Sequence, residues 1–515
     1  MLIALVAGGG TYLQALRTHD AGQAPRVTSS LVTARSIAVL PLRNLGSHRD
    51  DDYLSAMITD DLLRELRQVA SLNVVPFRVD VEQPDQLRPA DLSARLGVDL
   101  ALDGDFTREG NVLHVRARLW DTKSGKATWQ KSFDAPAADT REMRSGIATA
   151  LVTQLQIQVG SDLRAQLQTD ALTSSPAAYS NYLRARYLLR WRRDETLIEA
   201  ARLLREAIAL DDGFAQAHSA LAYVYALWIS PAPPEGDPAQ LAVLQARSAI
   251  GRDASLGEPH AVLGNYHSSI GMPIDAEVDF RQALQLDPRD PAALHFYAIH
   301  LYSMGRLKEA LEMERRSVAN DGSSPQPMMW LAMATTLTGD AEEARRLWQK
   351  ADELGAARPL CAAIARLDLG QQDHLAEWYR SHGGDWFHAP PGARVPANLL
   401  DTTTLAAGVL DPARRAPALE WLRRVEPHAD KAFLITHFGL LGDADGAFRV
   451  AESFSPVEDK RLLYRLCNIW SPRTASIRAD PRFGGLVKRW GFVDYWQRFG
   501  APESCTITNG AARCR

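Results

Sequence analysis

The chain reads as an α/β N-terminal domain followed by an all-α solenoid of helical hairpins. Three observations predict this. First, Gly271, Gly305 and Gly339 stand 34 residues apart, and Ala276, Ala310 and Ala344 follow them at a constant offset. Second, short β-branched runs alternate with helical patterns over about residues 36–160, the signature of an α/β unit. Third, 515 residues exceed what one hydrophobic core can serve. Apolar residues make up 46% and charged residues 23%, the ordinary balance of a folded protein.

In the α/β part, residues 36–42 (SIAVLPL) form a short, nearly continuous apolar run and read as a buried strand. Residues 53–69 place Leu54, Met57, Ile58, Leu62, Leu66 and Val69 at helical spacing. Asp50, Asp51 and Asp52 precede them, where acids complement a helix dipole rather than build a metal cluster. A second strand is expected over 72–77 and a short helix over 89–96, closed by Gly97. A third strand follows over 100–105. Residues 111–121 alternate, with Leu113, Val115, Ala117 and Leu119 on one face and His114, Arg116 and Arg118 on the other. Ser124-Gly125 turns the chain into a partner strand over 127–133, and a helix is expected over 143–159. The predicted order is βαβαβββα.

The segments SIAVLPLRNL, AMITDDLLREL, LGVDLALDGDF and VRARLWDTKSGKATWQKSF together resemble the TolB-like α/β domain. Met57 stands where that family usually carries Gly. In bacteria this domain often precedes tetratricopeptide repeats, and the downstream periodicity resembles that repeat. Ala283, Ser317 and Ala351 extend its register, and Phe280 and Trp348 occupy matching bulky positions that Glu314 interrupts. Small residues recur because helices approach closely there. Looser units precede: Ala200, Leu204 and Ala207 follow Tyr182 and Ala185, then Leu221, Ala222 and Tyr225 open another. Downstream, Gly442 and Ala447 recover the glycine-to-alanine offset, so hairpins are expected to about residue 455. Residues 381–398 are rich in Gly and Pro and read as a loop. The tail from 479 resembles the one found after such units, with Phe483, Leu486, Trp490 and Trp496 as a face capping the last hairpin. The expected organisation is 1–16 membrane or signal segment, 17–35 linker, 36–160 α/β domain, 175–357 repeat solenoid, 358–455 further hairpins and 456–515 cap and tail.

Residues 1–16 carry no charged side chain but are broken by Gly8, Gly9 and Gly10. A clipped membrane anchor is the leading reading; an atypical signal sequence or an apolar tip are the others. The anchor and the family resemblance imply a chain held at the bacterial inner membrane with its bulk in the periplasm. Cys505 and Cys514 bracket the Asn509-Gly510 turn signal and are expected to form a disulfide, with two exposed thiols or half a metal site as alternatives. Cys361 and Cys467 lie in apolar helical surroundings and read as buried free thiols.

No enzyme motif survives inspection. Gly125-Lys126 lacks a preceding phosphate-cradling loop, and there is no HExxH or GxSxG. His295 and His300 lie five apart, on different faces of a helix. No cofactor is expected. The net charge of −4 argues against nucleic acid, and the run Arg184, Arg186, Arg190, Arg192 and Arg193 reads as a solvated face. The resemblance to tetratricopeptide repeats projects Asn265, His295, Phe296, Ile299, Tyr302, Met329, Trp330 and Met333 onto a concave groove. Aromatic and Met side chains suit a protein or peptide partner. The leading expectation is therefore a binding and scaffolding protein without catalysis. A second expectation is the sensory portion of a CadC-type membrane regulator whose winged-helix domain is absent from this sequence. An enzyme with an unrecognised site is the third.

Overall fold

The structure is a computed structural model. It describes residues 35–46, 51–67, 69, 72–76, 98–136, 141–155, 172–189, 193–228, 236–322, 324–357, 359–382, 401–454 and 466–515.

The N-terminal unit contains β1 (Arg35–Val39), β2 (Arg43–Asn44), α1 (Asp52–Arg67), β3 (Leu72–Pro76), β4 (Leu100–Glu109), β5 (Val112–Asp121), β6 (Lys126–Pro136) and α2 (Arg141–Gln154). The sheet runs β3-β1-β4-β5-β6, with β2 beside β4. β1 is parallel to β3 and β4, whereas β4, β5 and β6 are antiparallel. The alternation along β5 is realised: Leu113, Val115, Ala117 and Leu119 are all buried, because the core covers only one face of the pleat. On the other face Arg118 meets Asp103 at 2.9 Å and Arg116 meets Asp105 at 2.8 Å. Asp51 does more than complement a dipole, since it is buried and pairs with Arg108 of β4 at 2.8 Å. The short strand β2 was not anticipated, and the helix expected over 89–96 lies outside the described residues.

Among the described residues eight helical hairpins follow. They are α3 (Pro176–Leu188) with α4 (Asp194–Leu210), α5 (Ala215–Leu227) with α6 (Pro238–Arg252), α7 (Glu258–Ser269) with α8 (Pro273–Leu286), α9 (Pro291–Ser303) with α10 (Leu307–Asn320), α11 (Pro325–Thr338) with α12 (Ala341–Glu353), α13 (Leu360–Leu367) with α14 (Gln372–His382), α15 (Thr403–Leu410) with α16 (Arg415–Val425), and α17 (Lys431–Leu440) with α18 (Ala444–Glu452). Local chemistry sets their ends. Asp237 and Asp290 accept from the backbone N–H of Ala239 and Ala292, each with Pro at the first helical position. The period-34 glycines end the first helices in the left-handed region, at φ 75°, 78° and 102°. Ala276, Ala310 and Ala344 are buried. This is a tetratricopeptide-like solenoid.

Successive first helices pack against one another, while the second helices stand further apart. The first helices therefore line the inner face. Helix α1 packs on α3, and one continuous core runs from the sheet into the repeats. The α/β unit thus covers the open end of the solenoid.

The C-terminal part contains α19 (Ala475–Ala479), α20 (Arg482–Arg489), α21 (Phe492–Phe499) and the hairpin β7 (Cys505–Thr508) and β8 (Ala511–Cys514). Phe483, Leu486, Trp490 and Trp496 are buried. Their unit reaches well beyond the last hairpin. Trp470 donates to the Ser303 carbonyl at 2.9 Å and Trp496 to the Met304 carbonyl at 3.0 Å. Cys505 and Cys514 are joined in a disulfide at directly opposed positions of β7 and β8. Asn509 and Gly510 form the turn, both with positive φ. Cys361 is a buried free thiol.

One expectation is corrected. No helix among the described residues is long and apolar enough to cross a membrane, so placement in the bacterial inner membrane with the bulk periplasmic is not supported. A span needs about 20 consecutive apolar residues. The uncharged stretch of residues 1–16, interrupted by three glycines, lies outside the described residues. The loop read over 381–398 lies outside them from residue 383 onward.

Candidate functional site: the inner face of the solenoid

The 34-residue register stacks equivalent side chains along the inner face. Asn265, Ile299 and Met333 form one row; Ala261, His295 and Met329 form a second. The residues projected from sequence are therefore brought together, on α7, α9 and α11. They are less open than a groove requires. His295, Phe296, Ile299, Tyr302, Met329, Trp330 and Met333 are all buried, Trp330 the least at 9% exposed. Tyr302 meets the Trp330 ring edge-on, with centroids 5.3 Å apart, a geometry favoured by the ring quadrupole.

His295 does not stand alone. Its Nδ1 lies 2.7 Å from Glu314 on α10. That pairing accompanies the interruption of the bulky series of Phe280 and Trp348: at Glu314 a carboxylate stands in place of the ring, and the imidazole one helix back pairs with its Oε1. Asn265 is half-buried, and its Oδ1 has no hydrogen-bond partner among the described residues.

Toward the first hairpins the inner face is polar and was not foreseen. Arg186 of α3, expected on a solvated face, turns inward and meets Glu258 of α7 at 2.5 Å. Ser219 of α5 donates to the other oxygen of Glu258 at 2.6 Å. Burial pushes the nearby Asp290 carboxyl up to about 7, reinforced by the charges of Glu258 and Asp287. The Tyr223 ring of α5 lies tilted against Phe296 of α9, with centroids 5.7 Å apart.

A second polar cluster lies under the C-terminal unit. Glu277 of α8 accepts from Tyr297 at 2.6 Å and Tyr495 at 2.7 Å, and pairs with Arg281 at 2.8 Å. Burial works against its carboxylate, but these hydrogen bonds outweigh burial and lower its pKa. Burial pushes the His300 imidazole down to about 4, keeping it neutral beside Glu277. Elsewhere, Arg366 lies 4.2 Å over the Trp348 ring and clamps Asp352 at 2.8 and 3.0 Å. The Glu277 and Arg366 clusters spend most of their donors and acceptors internally, as structural networks do, while His300 Nε2 has no hydrogen-bond partner among the described residues. Among the described residues no group of three or more His, Cys, Asp or Glu is placed to hold a metal ion.

No protein-family profile matches the chain. The putative adenylate cyclase 3 of Rhizobium meliloti (strain 1021) is 25% identical over 193 residues, which cover 37% of this chain. The chain spans about a third, 32%, of that relative's length. Among solved structures, PilF of Pseudomonas aeruginosa is 19% identical, covering 42% of this chain and 92% of its own, with a TM-score of 0.29. Yeast Tom70 is 13% identical, covering 68% and 84%, with a TM-score of 0.28. TolB of Acinetobacter baumannii is 15% identical, covering 25% and 29%, with a TM-score of 0.20. Likenesses this low leave the fold to rest on the period-34 geometry described above.

Proposed function

We propose that this chain is a non-catalytic binding scaffold whose inner solenoid face takes an extended segment of a partner protein. One observation carries the reading. In the row Asn265, Ile299, Met333, Asn265 is half-buried, and its enclosed Oδ1 has no hydrogen-bond partner among the described residues. An amide oxygen held in that state is costly until a donor reaches it. The backbone N–H of an extended peptide is such a donor once the face opens to it, and Met329 and Met333, buried two hairpins further along the same face, are adaptable side chains.

The α/β unit is proposed to be TolB-like, and the unit boundaries at 36–160, 175–357, 358–455 and 456–515 belong to the same proposal. The match to a protein called a putative adenylate cyclase favours a second, compatible reading. In it, this segment is the sensory or accessory portion of a larger regulator, as in the CadC-type arrangement, and an output domain does the chemistry. Formation of cyclic AMP from ATP by the purified chain would replace both readings with an enzymatic one.

The test is to select extended peptides from a random display library on the full chain, then measure their affinity for Asn265→Leu. A loss of at least about tenfold, near 1.4 kcal/mol, is expected from removing that acceptor. Unchanged affinity in a folded variant rejects the inner face as the binding surface.

A further inference from the structure

In a helical solenoid each repeat touches only its immediate neighbours, so its stability is a sum of repeat and nearest-neighbour terms. Among the described residues, two contacts on the inner face break that rule. Arg186 belongs to the first hairpin and Glu258 to the third, yet their charged atoms lie 2.5 Å apart. Tyr223 belongs to the second hairpin and Phe296 to the fourth, yet their rings lie 5.7 Å apart. Both contacts skip one hairpin. Ser219, on the skipped hairpin of the first pair, is tied into the bridge through its 2.6 Å bond to Glu258.

These side chains tie hairpins that are not neighbours in sequence, and such ties constrain the curvature between them. They also explain why Phe296 is buried although the repeat register places it toward the inner face. The bridge is a charge pair with both partners partly exposed, at 36% for the Arg186 side chain and 19% for that of Glu258. A partly exposed charge pair of this kind is a modest tie that can be exchanged for another partner and is weakened by salt. The aromatic contact adds a short-range apolar tie of about 1 kcal/mol.

We propose that the Arg186–Glu258–Ser219 bridge and the Tyr223–Phe296 contact form a clasp that holds the inner face of the first four hairpins closed, and that this face opens only when the clasp releases. The clasp rests on the reading of that face as a binding surface, but its test needs no partner. It predicts cooperative behaviour over hairpins that a plain solenoid would leave independent. Arg186 occupies the place where a ligand's own cationic group would meet Glu258, so closure is an autoinhibitory contact.

The experiment compares the full chain with Arg186→Ala, Glu258→Ala and the double variant, by amide hydrogen exchange and small-angle X-ray scattering. Arg202→Ala, which removes an outer-face pair with Glu199 and Glu206, is the control. Each single inner-face variant is expected to speed exchange in α3 and α7 by about tenfold and to raise the radius of gyration. The double variant is expected to go no further than either single, since both remove one interaction. Exchange and radius unchanged from the full chain in folded single variants overturn the clasp. So does an effect that adds fully in the double variant, or one that Arg202→Ala reproduces. Any of these results leaves peptide binding by the inner face to be judged separately by Asn265→Leu.

Discussion

At the residue scale, the repeat glycines do different jobs despite identical register. Gly305 and Gly339 both sit at positive φ, 78° and 102°. A Cβ on Gly339 would meet nothing within 4 Å, whereas one on Gly305 would lie 2.8 Å from the Trp470 ring. Gly339→Ala therefore carries backbone strain alone, about 1 kcal/mol. Gly305→Ala adds overpacking against an immobile ring, for a total of about 3 kcal/mol. Thermal unfolding should show a drop in Tm for Gly305→Ala clearly larger than for Gly339→Ala; equal drops would mean that Trp470 does not rest on that turn. Glu314 makes the same point from the opposite side. A carboxylate at a register position otherwise held by Phe280 and Trp348 was a visible anomaly, and its partner His295 was the nearest candidate one helix back.

At the scale of elements, the β7–β8 hairpin was legible almost in full. Asn-Gly selects a two-residue turn with positive φ at both positions, and that turn places Cys505 opposite Cys514. What was not legible is where the hairpin docks. Ala512 is buried against α20, with its carbonyl so close to Gly484 that a Cβ there would collide with it. The disulfide closes a short loop, and such a closure contributes about 2–3 kcal/mol in chain-entropy terms. Adding dithiothreitol is expected to lower the Tm of the parent protein and to leave Cys505→Ser/Cys514→Ser, already weakened, unaffected. A parent Tm that does not respond to reductant would show that the hairpin stands without its bridge.

At the scale of the whole molecule, other units pack on the solenoid at its start and along its edge: α1 on α3, and the C-terminal unit on the last hairpin and on the turn from Ser303 to Arg306 of the fourth. Burial of titratable groups inside the molecule has a pH signature. His300 and His437 have folded pKa values pushed down to about 4 by burial. Each is a base whose folded pKa is depressed. The unfolded chain takes up its proton first, and stability falls as pH drops from about 6.5 toward 4. Asp290 acts in the other direction, because an acid raised to about 7 by burial and like charge is relieved on protonation. His437→Gln should therefore flatten the fall of Tm between pH 7 and 5, and Asp290→Asn should steepen it. Parallel Tm curves for parent and both variants would remove these groups from the acid response.

The sequence by itself determined the hairpins. Period, small-residue positions, Asp-Pro caps and left-handed glycines are local, and local steric and hydrogen-bonding rules read them without reference to the rest of the chain. The alternation of β5 and the disulfide hairpin were readable for the same reason. Only the tertiary structure decided whether the inner face is open. That depends on curvature, a small rotation per hairpin that accumulates until Arg186 meets Glu258 and Tyr223 nears Phe296. No residue pattern within one repeat encodes a contact that skips a repeat. The same accumulation decided that Tyr495 and Trp496 close on Glu277 and Met304 rather than on the last hairpin alone, because a long chain returns to whichever edge its curvature brings within reach.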